Sequence, residues 1–346
     1  MLRNATNLLI TGTILLVLIT LSHPSLSAQT ADLLVVNKVP NTSGQPGSLS
    51  FIDYAAGKVV ATVTVDREPH EVALTPDGKY ALVANTGGYV TPNNTLSLVD
   101  VAARSVRHTV DLGALYTPHG LAYSKANGLF YFTVEGSRAI GAYDPEANEV
   151  AWIYGTGQAG SHMLLISEDG RTIVTANRED ASVSILKLEG DDPLAAAAWS
   201  GTIVPVGERP EGLAFAPGEA MVWVGLRSGD GLVLVDPEEE RVAERYPIAG
   251  HSVARLLFTP DGATLLAADP NEGSVLFIDP QTGAVAATVP VGSTAASLFL
   301  VPGGESVLVG VSEDDTIAEI DLATREVTRR LESGPDPDAM AWPDKE

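Results

Sequence analysis

The sequence predicts an all-β fold, a seven-bladed β-propeller with four antiparallel strands in each blade. Short runs rich in valine, isoleucine, leucine, phenylalanine and tyrosine alternate with turn clusters, as in proteins built from many short strands. The turns recur in two forms, exemplified by "TPDGKY", "SEDGRT" and "TPDGAT", and by "IDYAAGKV", "YDPEANEV" and "VDPEEERV". A strand-turn-strand phrase returns every 42 to 49 residues, which is the spacing of propeller blades.

Seven first strands can be aligned on the turn that follows each of them. The alignment places one residue per blade in a single column: His70, His119, His162, Glu211, Ala254, Ala296 and Asp338. The chain opens with the later three strands of a blade, "DLLVVNK", "GSLSFID" and "KVVATVTV", and ends with a first strand, "DAMAWPD". We therefore expect both ends to share one blade, which closes the ring and removes the free sheet edges. Because closure hides the edges, we expect a monomer.

The N-terminal segment 1–28 has the pattern of a secretory signal peptide. The apolar run "LLITGTILLVLITL" is preceded by one arginine and followed by the small residues of "SHPSLSA". A membrane span needs about 20 apolar residues, and this run is shorter. We predict cleavage near Ser27 or Ala28, a propeller domain over 29–346, no membrane span after cleavage, and a periplasmic or secreted protein.

The charge of the chain limits its partners. It has 44 Asp and Glu against 21 Lys and Arg, a formal net charge of −23. Such a surface repels nucleic acid phosphates. We expect a small-molecule ligand or a protein partner at one face of the ring instead.

The phrases "YALVANTG" and "IVTANRED" resemble the YVTN family of β-propeller repeat proteins, and the resemblance extends over the whole chain after the signal. Within it, "TPHGLAYSKANGLFYFTVEGSRAIGAYD" is similar to a blade of the streptogramin (virginiamycin B) lyase group. That resemblance implies a metal-assisted site of histidine and glutamate in the funnel. Lactonase-like propellers are further relatives. The implied activity is metal-assisted elimination, or hydrolysis of a lactone or cyclic ester.

First strands of a propeller line the central channel, so the column is expected to surround one funnel mouth. Neutral imidazoles from neighbouring strands can bind one transition metal. We predict a site made by His70, His119, His162 and Asp338, and its residue types do not separate Zn, Cu, Fe and Mn. Alternatively, the same residues form a wet polar lining without a ligand.

Second strands run back and end at the same face, which adds further candidates. We expect Glu211 and Glu135 to act as catalytic carboxylates. The expected substrate-binding residues are Asn85, Asn177, Tyr89, His251 and Arg227. Two other functions stay open, a non-catalytic binding or protein-interaction module and an accessory propeller of a periplasmic redox system.

Overall fold

A computed structural model describes residues 32–39, 45–88, 90–218, 220–229 and 231–343 of the chain. The predicted signal peptide and Tyr89 therefore lie outside the described residues. Within the described residues, no helix is long and apolar enough to cross a membrane.

The described chain forms seven four-stranded antiparallel sheets. The strands that begin the chain are β1 (Leu33–Asn37), β2 (Pro46–Asp53) and β3 (Lys58–Arg67). Blade 2 contains β4 (Pro69–Leu74), β5 (Tyr80–Gly87), β6 (Pro92–Asp100) and β7 (Ser105–Asp111). Blade 3 contains β8 (Pro118–Tyr123), β9 (Phe130–Val134), β10 (Ala139–Asp144) and β11 (Glu149–Gly155). Blade 4 contains β12 (Ser161–Ile166), β13 (Thr172–Asn177), β14 (Ser182–Leu188) and β15 (Trp199–Pro205).

The remaining blades follow the same order. Blade 5 contains β16 (Pro210–Phe215), β17 (Val222–Leu226), β18 (Gly231–Asp236) and β19 (Arg241–Tyr246). Blade 6 contains β20 (Arg255–Phe258), β21 (Leu265–Asp269), β22 (Ser274–Ile278) and β23 (Val285–Pro290). Blade 7 contains β24 (Ala295–Leu300), β25 (Ser306–Val311), β26 (Thr316–Asp321) and β27 (Glu326–Glu332). Single-turn 3-10 helices lie at Glu135–Ser137, Ala196–Ala198 and Ser312–Asp314.

Both ends of the chain build blade 1. The last strand, β28 (Pro337–Ala341), pairs antiparallel with β1, so the sheet order is β28-β1-β2-β3. This confirms the predicted closure, in which a C-terminal first strand completes three N-terminal strands.

Apolar side chains between neighbouring blades form the core. Seven hydrophobic clusters are present in the described chain, and each spans one pair of adjacent blades. The cluster between blades 7 and 1, for example, joins Leu308 and Ile317 to Leu33 and Met340. Burial of these side chains, at about 25 cal/mol per Å² of apolar surface, holds the ring together and fixes the inner strands around the axis.

Candidate functional site

A cavity of about 530 Å³ opens at one face of the ring. Its wall includes all seven residues of the predicted column, which we call the first-strand ring: Asp338, His70, His119, His162, Glu211, Ala254 and Ala296. The structure thus brings together the four predicted metal ligands and the predicted catalytic Glu211.

A second set of seven residues, the second-strand ring, lines the same cavity. Six members follow directly on the residue that pairs with the start of the first strand, and Pro270 follows the last residue of β21: Lys38, Thr86, Glu135, Arg178, Arg227, Pro270 and Ser312. Three of the seven are cations, in a protein that is acidic as a whole. Sequence reasoning found Glu135 and Arg227 but missed Lys38 and Arg178. The dipeptides "NK", "NT" and "NR" at corresponding strand ends were the signal that marks this ring.

Irregular pairing at the start of the first strand turns side chains towards the cavity. The register between first and second strands shifts at this point in blades 2, 3, 4, 5 and 7. Such a bulge leaves an extra residue outside the ladder and redirects its side chain. Gly120 lets strands β8 and β12 approach each other closely, because a Cβ atom at this position would lie 2.6 Å from the backbone oxygen of His162. The strands that carry His119 and His162 can therefore come together.

The three histidine rings lie next to one another in a row, tilted relative to each other. The ring centroids of His119 and His162 are 3.8 Å apart with planes inclined by 32°, and those of His70 and His119 are 4.7 Å apart. His119 and His162 are only 3% and 5% exposed. Burial lowers the pKa of both rings well below the usual range, and nearby positive charges, including Arg255, lower it further. Both rings are therefore neutral at pH 7, and the Nδ1 atom of each is buried without a hydrogen-bond partner.

His70 differs because carboxylates flank it. Its Nδ1 lies 3.3 Å from Asp338 Oδ2 and its Nε2 lies 3.8 Å from Glu68 Oε1. Burial alone lowers the pKa of His70, but hydrogen bonding to the two carboxylates outweighs it and leaves this pKa raised. Burial also acts to raise the pKa of Asp338, but Lys38, whose Nζ is 3.1 Å away, His70 and Arg255 hold it well below its usual range.

Arg255 forms the floor of the cavity. From blade 6 it donates through Nη2 to Glu71 Oε1 in blade 2 at 2.5 Å and to Asp338 Oδ1 in blade 1 at 3.2 Å. Its Nε donates to Ala296 O in blade 7, and its Nη1 contacts Met163 Sδ in blade 4. A side chain that reaches four other blades crosses the axis of the ring. Sequence reasoning did not identify this role because it depends on which side chains meet across the ring.

Glu211 holds two arginines in the wall. Its carboxylate accepts hydrogen bonds from Arg227 Nη1 at 3.3 and 3.4 Å, and Arg178 Nε lies 3.3 Å from Oε2. The Arg227 side chain is 28% exposed and its described contacts to Glu211 use one nitrogen. A guanidinium has five N–H donors, so the other nitrogens of Arg227 can reach a ligand in the cavity. In this arrangement Glu211 holds the guanidinium groups of Arg178 and Arg227 in position.

Glu135 is a titratable group in the wall. Burial raises its pKa to about 7, against the opposing effect of Arg178. A carboxyl group with this pKa exchanges a proton near neutral pH, which is a property of general acids and bases.

Three predicted substrate-binding residues, Asn85, Asn177 and His251, do not line the cavity. Asn85 and Asn177 are fully buried and donate to neighbouring hydroxyls, Asn85 to Ser97 at 2.9 Å and Asn177 to Ser184 at 3.0 Å. His251 binds the buried Asp269 through Nδ1 at 2.8 Å. Tyr89, also predicted, lies outside the described residues.

The described residues show no assembled metal site. No group of three or more histidine, cysteine, aspartate or glutamate side chains in the described part of the chain could hold a metal ion as arranged. Arg255 and Arg178 also place positive charge close to the imidazoles, which opposes a bound cation.

Comparison with known proteins supports the propeller fold. No family model matches the sequence, and no curated protein matches it. Among solved structures, a chain of Kuenenia stuttgartiensis hydrazine synthase is 16% identical, with a TM-score of 0.65 over 78% of this chain and 88% of that one. A functionally unknown protein from Desulfotomaculum acetoxidans DSM 771 is 12% identical, with a TM-score of 0.71 over 92% of this chain and 100% of that one. Such identities show the fold alone, and the resemblance to YVTN proteins stays a prediction.

Proposed function

We propose that this chain is an exported β-propeller that binds a small carboxylate-bearing molecule in its funnel. The observation that carries the proposal is a cavity of about 530 Å³ in whose wall the Arg227 side chain is 28% exposed, and which the neutral imidazoles of His119 and His162 also line. A concave site of this size with a few convergent polar groups is typical of small-molecule binding.

One cation in the wall, Arg227, favours an anionic ligand. Arg227 faces the cavity with donors that its contact with Glu211 does not use, and a guanidinium matches the two oxygens of a carboxylate. Neutral imidazoles add one donor and one acceptor each without repelling a charge of either sign. The signal-peptide pattern of residues 1–28 supports export.

Hydrolysis of a lactone is the catalytic form of this proposal. Ring opening of a lactone produces a carboxylate, so a carboxylate site accommodates the product. Glu135, with a pKa of about 7, is the group that exchanges a proton with a bound substrate or water. Glu135→Gln keeps the shape of the side chain and removes the proton exchange, so lactone turnover is expected to fall by roughly 10²–10⁴-fold.

The metal hypothesis is a second candidate, favoured by the unpartnered Nδ1 atoms of His119 and His162. His70, His119 and His162 would be its ligands, and their rings would have to turn so that one nitrogen of each met at the metal. Elemental mass spectrometry of the mature chain, purified without a metal-binding tag, tests it. Stoichiometric transition metal that is lost in His119→Ala would replace the carboxylate proposal.

A protein-interaction role would use the rim instead of the wall. Val90 is 90% exposed, and Tyr116, at the edge of the cavity, is 46% exposed. These apolar side chains give a partner protein a surface to contact.

Calorimetric titration with hexanoate and hexylamine tests the carboxylate proposal. The two probes have six carbon atoms each and carry opposite charges at neutral pH. We expect hexanoate to bind and hexylamine not to bind, and we expect Arg227→Gln to weaken hexanoate by about tenfold or more, since hydrogen bonds to charged groups contribute about 1.5–3 kcal/mol. Equal binding of both probes, or an unchanged affinity in Arg227→Gln, would overturn it.

A further inference from the structure

The cavity has a second wall that differs in chemistry from the first. On blades 6 and 7 the lining contains Ala254, Pro270 and Ala296 beside Arg255, Thr294 and Ser312. At the first-strand positions, blades 6 and 7 carry alanine, whereas blades 1 to 5 carry carboxylates and imidazoles. Blades 6 and 7 are neighbours in the ring, so the two alanines occupy one side of it.

The two walls face each other across the funnel. His119 and His162 belong to blades 3 and 4, which lie opposite blades 6 and 7 in a seven-membered ring. Arg227 belongs to blade 5, next to blade 6. A carboxylate held between Arg227 and these imidazoles leaves the alanines and proline of blades 6 and 7 to the rest of the ligand.

The size of the cavity adds an independent constraint. A volume of about 530 Å³ falls within the roughly 300–1,000 Å³ of pockets for drug-sized ligands. A bare small anion would leave most of this space, and all of the apolar wall, in contact with water.

We propose that the ligand is an amphipathic carboxylic acid, or the lactone of one, whose hydrocarbon part lies on the side of the cavity that Ala254, Pro270 and Ala296 line. This inference rests on the proposed carboxylate site and specifies the ligand class. Small side chains on this wall leave room for methylene groups, and each methylene that leaves water for the wall tightens binding about fourfold.

Titration of the mature chain with straight-chain acids from acetate to decanoate tests the proposal. We expect the dissociation constant to fall about fourfold per added methylene until the chain fills the wall, and then to level off. Alkylamines of matched length are the control for non-specific hydrophobic binding, and they are expected not to bind.

A variant of the wall provides a second test. Ala296→Leu fills part of the apolar side, so affinity is expected to level off at a shorter acid than in the wild type. Ala103→Leu is the matched control, because Ala103 is exposed in a turn and does not line the cavity. We expect it to follow the wild-type series.

The outcomes separate the two proposals. If all acids bind with the same affinity, the amphipathic ligand is wrong and the carboxylate site stands. If no acid binds, both are wrong. The wild-type series decides this even if Ala296→Leu does not fold.

Discussion

Replacement of Arg255 tests whether this residue forms the buried floor of the funnel. Its side chain is 14% exposed and bonds Glu71 and Asp338. In Arg255→Met, Asp338 keeps Lys38 and His70, but Glu71 loses its one hydrogen-bond partner among the described residues. Removing one partner of a buried ion pair costs about 3–5 kcal/mol. At about 2 °C per kcal/mol for a domain of this size, we expect Tm to fall by roughly 6–10 °C.

The pH dependence follows from Glu71. Burial raises the pKa of Glu71, and Arg255 opposes that rise, so the pKa is higher still in the variant. An acid with a raised folded-state pKa stabilises the fold below its unfolded-state pKa, and this stability is lost as pH rises through the folded-state value. The loss of stability in Arg255→Met, relative to wild type, is therefore expected to be smallest in acid and to grow as the pH rises.

Differential scanning calorimetry across pH measures this deficit. The double variant Arg255→Met with Glu71→Gln removes the unpaired charge and is expected to recover much of the loss. The matched control is Arg241→Met on the exposed strand β19, which should change stability by less than about 0.5 kcal/mol. A Tm equal to wild type, or a double variant as unstable as Arg255→Met, would refute the reasoning.

Three further predictions concern titration and closure. Glu135→Gln should raise Tm relative to wild type at pH 8 and leave it nearly unchanged at pH 4, because the raised pKa of about 7 destabilises wild type only at high pH; a constant difference would argue against it. In an NMR titration of the imidazoles, His70 should protonate at a pH above the ordinary pKa of 6.5, while His119 and His162 should stay neutral far below it. Three similar midpoints would contradict the different surroundings of the three rings. Deletion of residues 337–346 removes β28 and should sharply lower Tm, whereas an unchanged melting curve would contradict closure of the ring by both ends.

The propeller could be predicted from the sequence because its signals are local and repeated. Turn chemistry and alternating strands recur in every blade, and the column they define proved to be the first-strand ring of the cavity. The split blade was visible as three strands at one end and one strand at the other.

The second-strand ring was predicted only in part, because side-chain direction changes with each residue of a strand. Asn85 and Asn177 stand one position before the members that line the cavity, Thr86 and Arg178, so their side chains turn into the sheet. Glu135 was placed in the correct register. Contacts across the ring, such as those of Arg255, involve no repeated sequence signal and required the structure.

A crystal structure of the mature chain grown with hexanoate would decide what the funnel holds. Our account predicts the carboxylate within hydrogen-bond distance of Arg227 and of an imidazole nitrogen of His119 or His162, with the alkyl chain against Ala254 and Ala296. A transition metal bound by His70, His119 and His162, with no hexanoate in the cavity, would contradict it.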